Sequence, residues 1–147
     1  MTVSNPYRIL YVDDNPGDRR LFQEALSGRS GVALQLASSG EQLLEIMESP
    51  ELPNLILMDW NLPGITGFDL LGRLKSDSTS QAIPIVVFTT SLSPESVIDI
   101  YNARANCIVE KPIGFDAFLE LVRNIEEFWL RTSLLPLNLG REASARA

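Results

Sequence analysis

Residues 7–26 read YRILYVDDNPGDRRLFQEAL. Apart from Arg8, the run from Tyr7 to Val12 is apolar, and it stops abruptly at Asp13-Asp14. Asn15-Pro16-Gly17 follows, and it opens a helix naturally: a first helical turn accepts proline, and Asp or Asn caps it. From Pro16 to Leu26 the residues Leu21, Phe22, Ala25 and Leu26 share one stripe of a helix. A buried strand, a pair of carboxylates and an amphipathic helix in close succession make a βα unit.

The same unit recurs along the chain. Residues 55–58 (LILM) end at Asp59, and residues 83–88 (IPIVVF) end at Thr89. Such short continuous apolar runs predict strands buried on both faces, as in a parallel sheet. Residues 32–37 (VALQLA) alternate Val32, Leu34 and Leu36 with smaller or polar residues, which suits an edge strand. Residues 107–109 form a shorter strand running toward Lys111-Pro112. Helices are predicted over 41–48, 68–74, 94–101 and 115–129, with Ser93 a good cap for the third of these. Alternation of this kind predicts an α/β fold: one parallel sheet, right-handed crossovers and helices on both faces.

Composition narrows the function. The chain has 147 residues, 45% hydrophobic and 21% charged, with a net charge of −7. An acidic domain is a poor ligand for nucleic acid or for an anionic membrane. One cysteine, Cys107, excludes an internal disulfide and a multi-cysteine metal site. There is no histidine, so neither Ser-His-Asp nor Cys-His catalysis is available. No apolar run approaches the length of a membrane span, and residues 1–6 do not resemble a signal peptide. A cytoplasmic protein is expected.

In an open parallel sheet the ligand binds at the carboxyl ends of the strands. Those ends carry Asp13, Asp14, Asp59, Thr89 and Lys111. Taken singly, each has a plain reading as a helix cap, a turn former or a solvated charge. Taken together they are three carboxylates, a hydroxyl and an ammonium at one edge. Clustered carboxylates repel, and a hard divalent cation such as Mg²⁺ relieves them. Lys111 and Thr89 then remain to bind phosphoryl oxygens, and a carboxylate to accept the phosphoryl group.

With Asp13-Asp14, Asp59, Thr89 and Lys111-Pro112 in this order, and MDWNLPGITGFDLL over residues 58–71, the chain resembles the receiver domains of two-component response regulators. VDDNPGDRRLFQEAL at residues 12–26 and IEEFWLRTSLLP at residues 125–136 are similar to stand-alone receivers that serve phytochrome-type histidine kinases. The resemblance implies a flavodoxin-like (βα)5 fold with strand order 2-1-3-4-5, a receiver over residues 5–131, and a C-terminal tail over 132–147, partly disordered. It implies that Asp59 is the phosphoacceptor. Asp14, Asp59 and the Asn61 carbonyl would hold Mg²⁺ directly, and Asp13 through a water. Thr89 and Lys111 would grip the phosphoryl oxygens. The Lys111–Pro112 peptide would be cis. The donor would be a histidine kinase, in particular a bacteriophytochrome.

Two positions depart from the family pattern. Ile108 stands where many receivers carry a Tyr or Phe switch, and Thr90 is bulkier than the usual Ala or Gly. Thr90 is expected to obstruct the water that hydrolyses the aspartyl phosphate. Glu110 should point away from Lys111, across the strand.

Leu121, Phe128, Leu134, Leu135 and Leu137 exceed what one buried stripe uses. They predict a homodimer through helix 4, strand 5, helix 5 and the tail, or else a tail folded back within one chain. Two other functions stand beside the receiver. One is a haloacid-dehalogenase-type phosphatase, whose nucleophile ends the first strand in a D-x-D arrangement. The other is a phosphorylation-independent interaction domain.

Overall fold

The computed structural model describes residues 7–29, 31–90 and 93–136. Its strands are β1 (Tyr7–Val12), β2 (Val32–Ala37), β3 (Leu55–Asp59), β4 (Ile85–Thr89) and β5 (Cys107–Glu110). Its helices are α1 (Pro16–Leu26), α2 (Gly40–Ile46), α3 (Gly67–Ser76), α4 (Pro94–Asn102) and α5 (Phe115–Ile125), followed by a π-helical segment, Glu126–Thr132. The five strands are parallel in the order β2-β1-β3-β4-β5. This is the doubly wound α/β, flavodoxin-like fold that the sequence predicts.

Strand parity divides the core into two layers. Ile9, Tyr11, Leu55, Leu57, Val86 and Phe88 face α1 and α5, against Phe22, Leu26, Phe118 and Val122. Leu10, Val12, Ile56, Met58, Ile85 and Val87 face α2, α3 and α4, against Leu43, Leu70, Leu71 and Ile100. Each fully buried Leu, Ile or Phe contributes about 1.5–3 kcal/mol relative to exposure. The short apolar runs are explained by this: β3 and β4 are buried along their whole length. β2, at the edge, is mostly half-buried.

The caps follow the sequence. Asn15 accepts hydrogen bonds from Gly17 N and Asp18 N, Thr66 from Asp69 N, and Ser93 from Ser96 N. Some predicted stripe residues differ. Phe68, Ile98, Tyr101 and Phe115 are exposed, and on α4 the buried residue is Ile100. The apolar spacing over residues 115–129 predicts a continuous α-helix, but α5 ends at Ile125 and the backbone widens into the π-turn. There Ser133 N donates to Phe128 O at 2.7 Å. The buried Glu126 pairs with Arg29 at 2.8 Å, tying this segment to the end of α1.

Leu135 is buried in the layer beneath α1 and α5, so the chain folds back on itself at this residue. Phe128 and Leu134 stay exposed. Leu137 and the remainder of the tail lie outside the described residues. Among the described residues no helix is long and apolar enough to cross a membrane.

Candidate functional site

The site is assembled by strand register. Asp13 N continues the ladder beyond β1 by donating to Ala37 O at 3.1 Å, and Lys111 N extends β5 by donating to Thr89 O at 3.0 Å. Asp59 pairs with Phe88 at the end of β3, and Thr89 with Glu110 at the end of β4. By parity Asp13, Asp59 and Lys111 lie on the face of α1 and α5, while Glu110 alternates to the other side and is exposed.

Asp13 is fully buried and Asp59 nearly so, whereas Asp14 is open to water. One carboxylate oxygen from each of the three lies within 4.8 Å of the others. Into this cluster reaches Lys111. Its Nζ lies 2.7 Å from Asp13 Oδ2, 2.7 Å from Asp18 Oδ2 and 3.3 Å from Asp59 Oδ2. Asp13 is held further by the Tyr11 hydroxyl, which donates to Oδ2 at 2.6 Å, and by Asn15 N, which donates to Oδ1 at 2.9 Å. Arg19 Nη1 donates to the Asp13 carbonyl at 2.7 Å.

The electrostatics follow from this crowding. Burial raises the Asp59 carboxyl above its ordinary range, Asp13 raises it further, and Lys111 opposes both. Burial alone would lower Lys111, but its bonds to Asp13 and Asp18 and the charges of Asp13 and Asp59 hold it above an ordinary lysine. The ammonium therefore remains charged at any physiological pH.

The loop after Asp59 is pinned from two sides. Asn61 N donates to Asp59 Oδ1 at 3.3 Å, and Ile65 N donates to Glu41 Oε2 at 3.2 Å. Gly64, at φ +81°, sits against that same Glu41 carboxylate, where a side chain would collide. Thr89 is buried as the last residue of β4, one strand from Asp59. Thr90 is exposed at the same edge.

The structure therefore brings Asp13, Asp14, Asp59 and Lys111 together, with Thr89 and Asn61 alongside. The expected cis peptide is not found: Lys111–Pro112 is trans, like every peptide among the described residues. Trans is the preferred form even before proline, by about 0.5–1 kcal/mol, and the trans chain already delivers Lys111 to its carboxylates. Sequence reasoning missed Asp18 and Tyr11. The signal for Asp18 was Pro16: a helix starting there turns its third residue back over the site.

The donor set fits a hard divalent cation. It consists of closely spaced carboxylate oxygens, one of them facing water, with no sulfur or imidazole, which is what Mg²⁺ or Mn²⁺ requires.

A parallel sheet in this order with this acidic edge is the architecture of a receiver, and the chain belongs to the response regulator receiver domain family, whose family model matches residues 9–123. The family matched is that of receivers, not of haloacid-dehalogenase-type phosphatases. Among its relatives is the response regulator Rcp1 of Synechocystis sp., 37% identical in an alignment that covers 90% of this chain and 96% of Rcp1. The crystal structure of the Mn²⁺-bound form of Rcp1 matches with a TM-score of 0.80 at 36% identity, over 89% of this chain and 99% of that one. The phosphorylated cyanobacterial phytochrome response regulator RcpA matches with a TM-score of 0.84 at 33% identity, with the same coverage.

Proposed function

We propose that this chain is a single-domain response regulator that accepts a phosphoryl group on Asp59 from the phosphohistidine of a histidine kinase. The observation that carries the reading is the position of Lys111, an ammonium shared by Asp13, Asp18 and Asp59 beside a compact carboxylate cluster. An Asp59 oxygen attacks phosphorus, the P–N bond of the phosphohistidine breaks, and the imidazole leaves on the kinase. No general base is needed, which suits a chain without histidine. Asp14, Asp59 and the Asn61 carbonyl would hold Mg²⁺ directly, and Asp13 through a water; a cation held there would supply positive charge against the transferring phosphoryl group. Lys111 turns from carboxylate to phosphoryl oxygen, and Thr89 donates to another. Catalysis is positioning and charge stabilisation, and the only reactions catalysed are the chain's own phosphorylation and dephosphorylation.

Likeness to RcpA, a cyanobacterial phytochrome response regulator, supports a phytochrome-type kinase, a bacteriophytochrome, as the donor. The protein acts in the cytoplasm and binds neither nucleic acid nor membrane, in keeping with its acidity. Incubation with Mg²⁺ and acetyl phosphate, followed by intact mass, tests the central step. A gain of one phosphoryl group in the wild type and none in Asp59→Asn supports it. No gain in either identifies a phosphorylation-independent interaction domain.

The same reading includes a homodimer along β5. Phe128 and Leu134 are exposed beyond α5, and Ile98 and Tyr101 are exposed on α4. Removing such apolar surface from water is the common reason for a symmetric pair. Sedimentation at micromolar concentration should show a dimer that Phe128→Asp dissociates while phosphorylation is retained. A wild-type monomer, with or without phosphate, would remove the dimer.

A further inference from the structure

Tyr11 sits in the middle of the apolar first strand and is fully buried. Packing alone would be served by Leu or Phe, and a buried hydroxyl is unfavourable unless it is bonded. Its ring stacks on Phe22, with centroids 4.4 Å apart and planes at 15°, and meets Phe88 at 5.7 Å and 59°. Phe22 in turn meets Phe118 of α5 edge-on at 6.0 Å. These contacts fix the ring plane. The hydroxyl then donates along the strand to Asp13 Oδ2, two residues on, at 2.6 Å.

We propose that Tyr11 is a positioning residue for the acidic site: its hydroxyl orients Asp13 toward a bound divalent cation and shares Asp13 Oδ2 with Lys111. The inference rests on reading Asp13, Asp14 and Asp59 as the metal site. Asp13 is fixed from three directions: Tyr11 within β1, Asn15 N in the turn before α1, and Lys111 beyond β5. Because the phenol satisfies part of Oδ2, Lys111 is not bound to Asp13 alone and stays within reach of Asp18 and Asp59. Without the phenol, Asp13 Oδ2 keeps only Lys111. The carboxylate is then held only by Asn15 N and Lys111, and the ammonium is drawn away from Asp59.

Tyr11→Phe keeps the ring and its stacking and deletes only the bond. The full chain, labelled at tyrosine ¹³Cζ, gives signals from Tyr7, Tyr11 and Tyr101; Tyr7→Phe and Tyr101→Phe assign the third by elimination, independently of any change at Tyr11. On addition of Mg²⁺ the Tyr11 signal should move, with the midpoint seen by calorimetry, while the other two stay in place. Calorimetry should also show Tyr11→Phe binding Mg²⁺ roughly tenfold more weakly, the usual size of an outer-shell loss. An unmoved Tyr11 signal at saturating Mg²⁺, or a Tyr11→Phe affinity within about twofold of wild type, would overturn the proposal, since outer-shell partners normally cost more than that. If the wild-type protein itself takes up no Mg²⁺, the metal-site reading fails and this inference falls with it. Normal wild-type binding with an indifferent Tyr11→Phe sinks the inference alone.

Discussion

Lys111 and Lys75 are both largely withdrawn from water, in two regions that treat them oppositely. Lys111, at the strand ends, is shared by three carboxylates, Asp13, Asp18 and Asp59, and is held above its ordinary pKa. Lys75, in the last turn of α3, donates to Gln81 O at 3.4 Å, Ile83 O at 3.0 Å and Asn106 Oδ1 at 2.8 Å. All three acceptors are neutral, and burial lowers its pKa. Asn106 Oδ1 also accepts from Ile85 N, so Lys75 brackets α3, β4 and the approach to β5. An ammonium held by charge can be handed to another anion that offers the same oxygens. An ammonium held by backbone carbonyls has nothing to exchange them for. The first arrangement suits a site and the second a joint.

The contrast is broken most strongly at Lys111. Lys111→Ala should slow phosphorylation by acetyl phosphate on the order of 100-fold, the usual loss when one donor to a developing charge is removed. It should also destabilise the apo protein, because carboxylates are left uncompensated, and Mg²⁺ should restore much of that stability. Lys75→Ala should leave the phosphorylation rate near wild type. In urea unfolding it should cost about 2 kcal/mol for the stranded carbonyls, with no recovery on adding Mg²⁺. Equal rescue of both variants by Mg²⁺ would erase the distinction.

A smaller effect sharpens it. Asp59 is raised above its ordinary 3.8, first by burial and then by Asp13. A carboxyl raised in the fold weakens stability at pH above the raised value, and that penalty fades as pH falls through it. Asp59→Asn, without Mg²⁺, should therefore raise Tm at neutral pH by a few degrees, and the gain should shrink on acidification. A neutral-pH Tm equal to or below wild type would contradict the crowding described here.

The strands, β2 as an edge, and the placement of Asp13, Asp14, Asp59, Thr89 and Lys111 at strand ends were legible because each rests on a local rule: short apolar runs, alternation at an edge, polar residues where a run stops. The full strand order came with the resemblance to receivers. What was not legible depends on register in space. The π-turn leaves the apolar spacing of residues 115–129 intact, so the pattern reads as α-helix until the backbone is seen. Lys75 ends the amphipathic run of α3 and reads as a solvated charge; only its approach to residues 81–83 buries it. Tyr11 reads as one more apolar strand residue, because nothing in the alternation marks where its hydroxyl ends. Phe68, Ile98 and Tyr101 carry apolar periodicity that the sheet does not use.

The account stands on Asp59 as the acceptor, and the most direct test is to locate the phosphoryl group. Protein phosphorylated in Mg²⁺ and acetyl phosphate is reduced with borohydride, which converts an aspartyl phosphate to homoserine, and the modified residue is read by tandem mass spectrometry. Homoserine at residue 59, lost in Asp59→Asn, is the predicted result. Homoserine at residue 13, 14 or 18, or a wild-type protein with no modified aspartate, would contradict it.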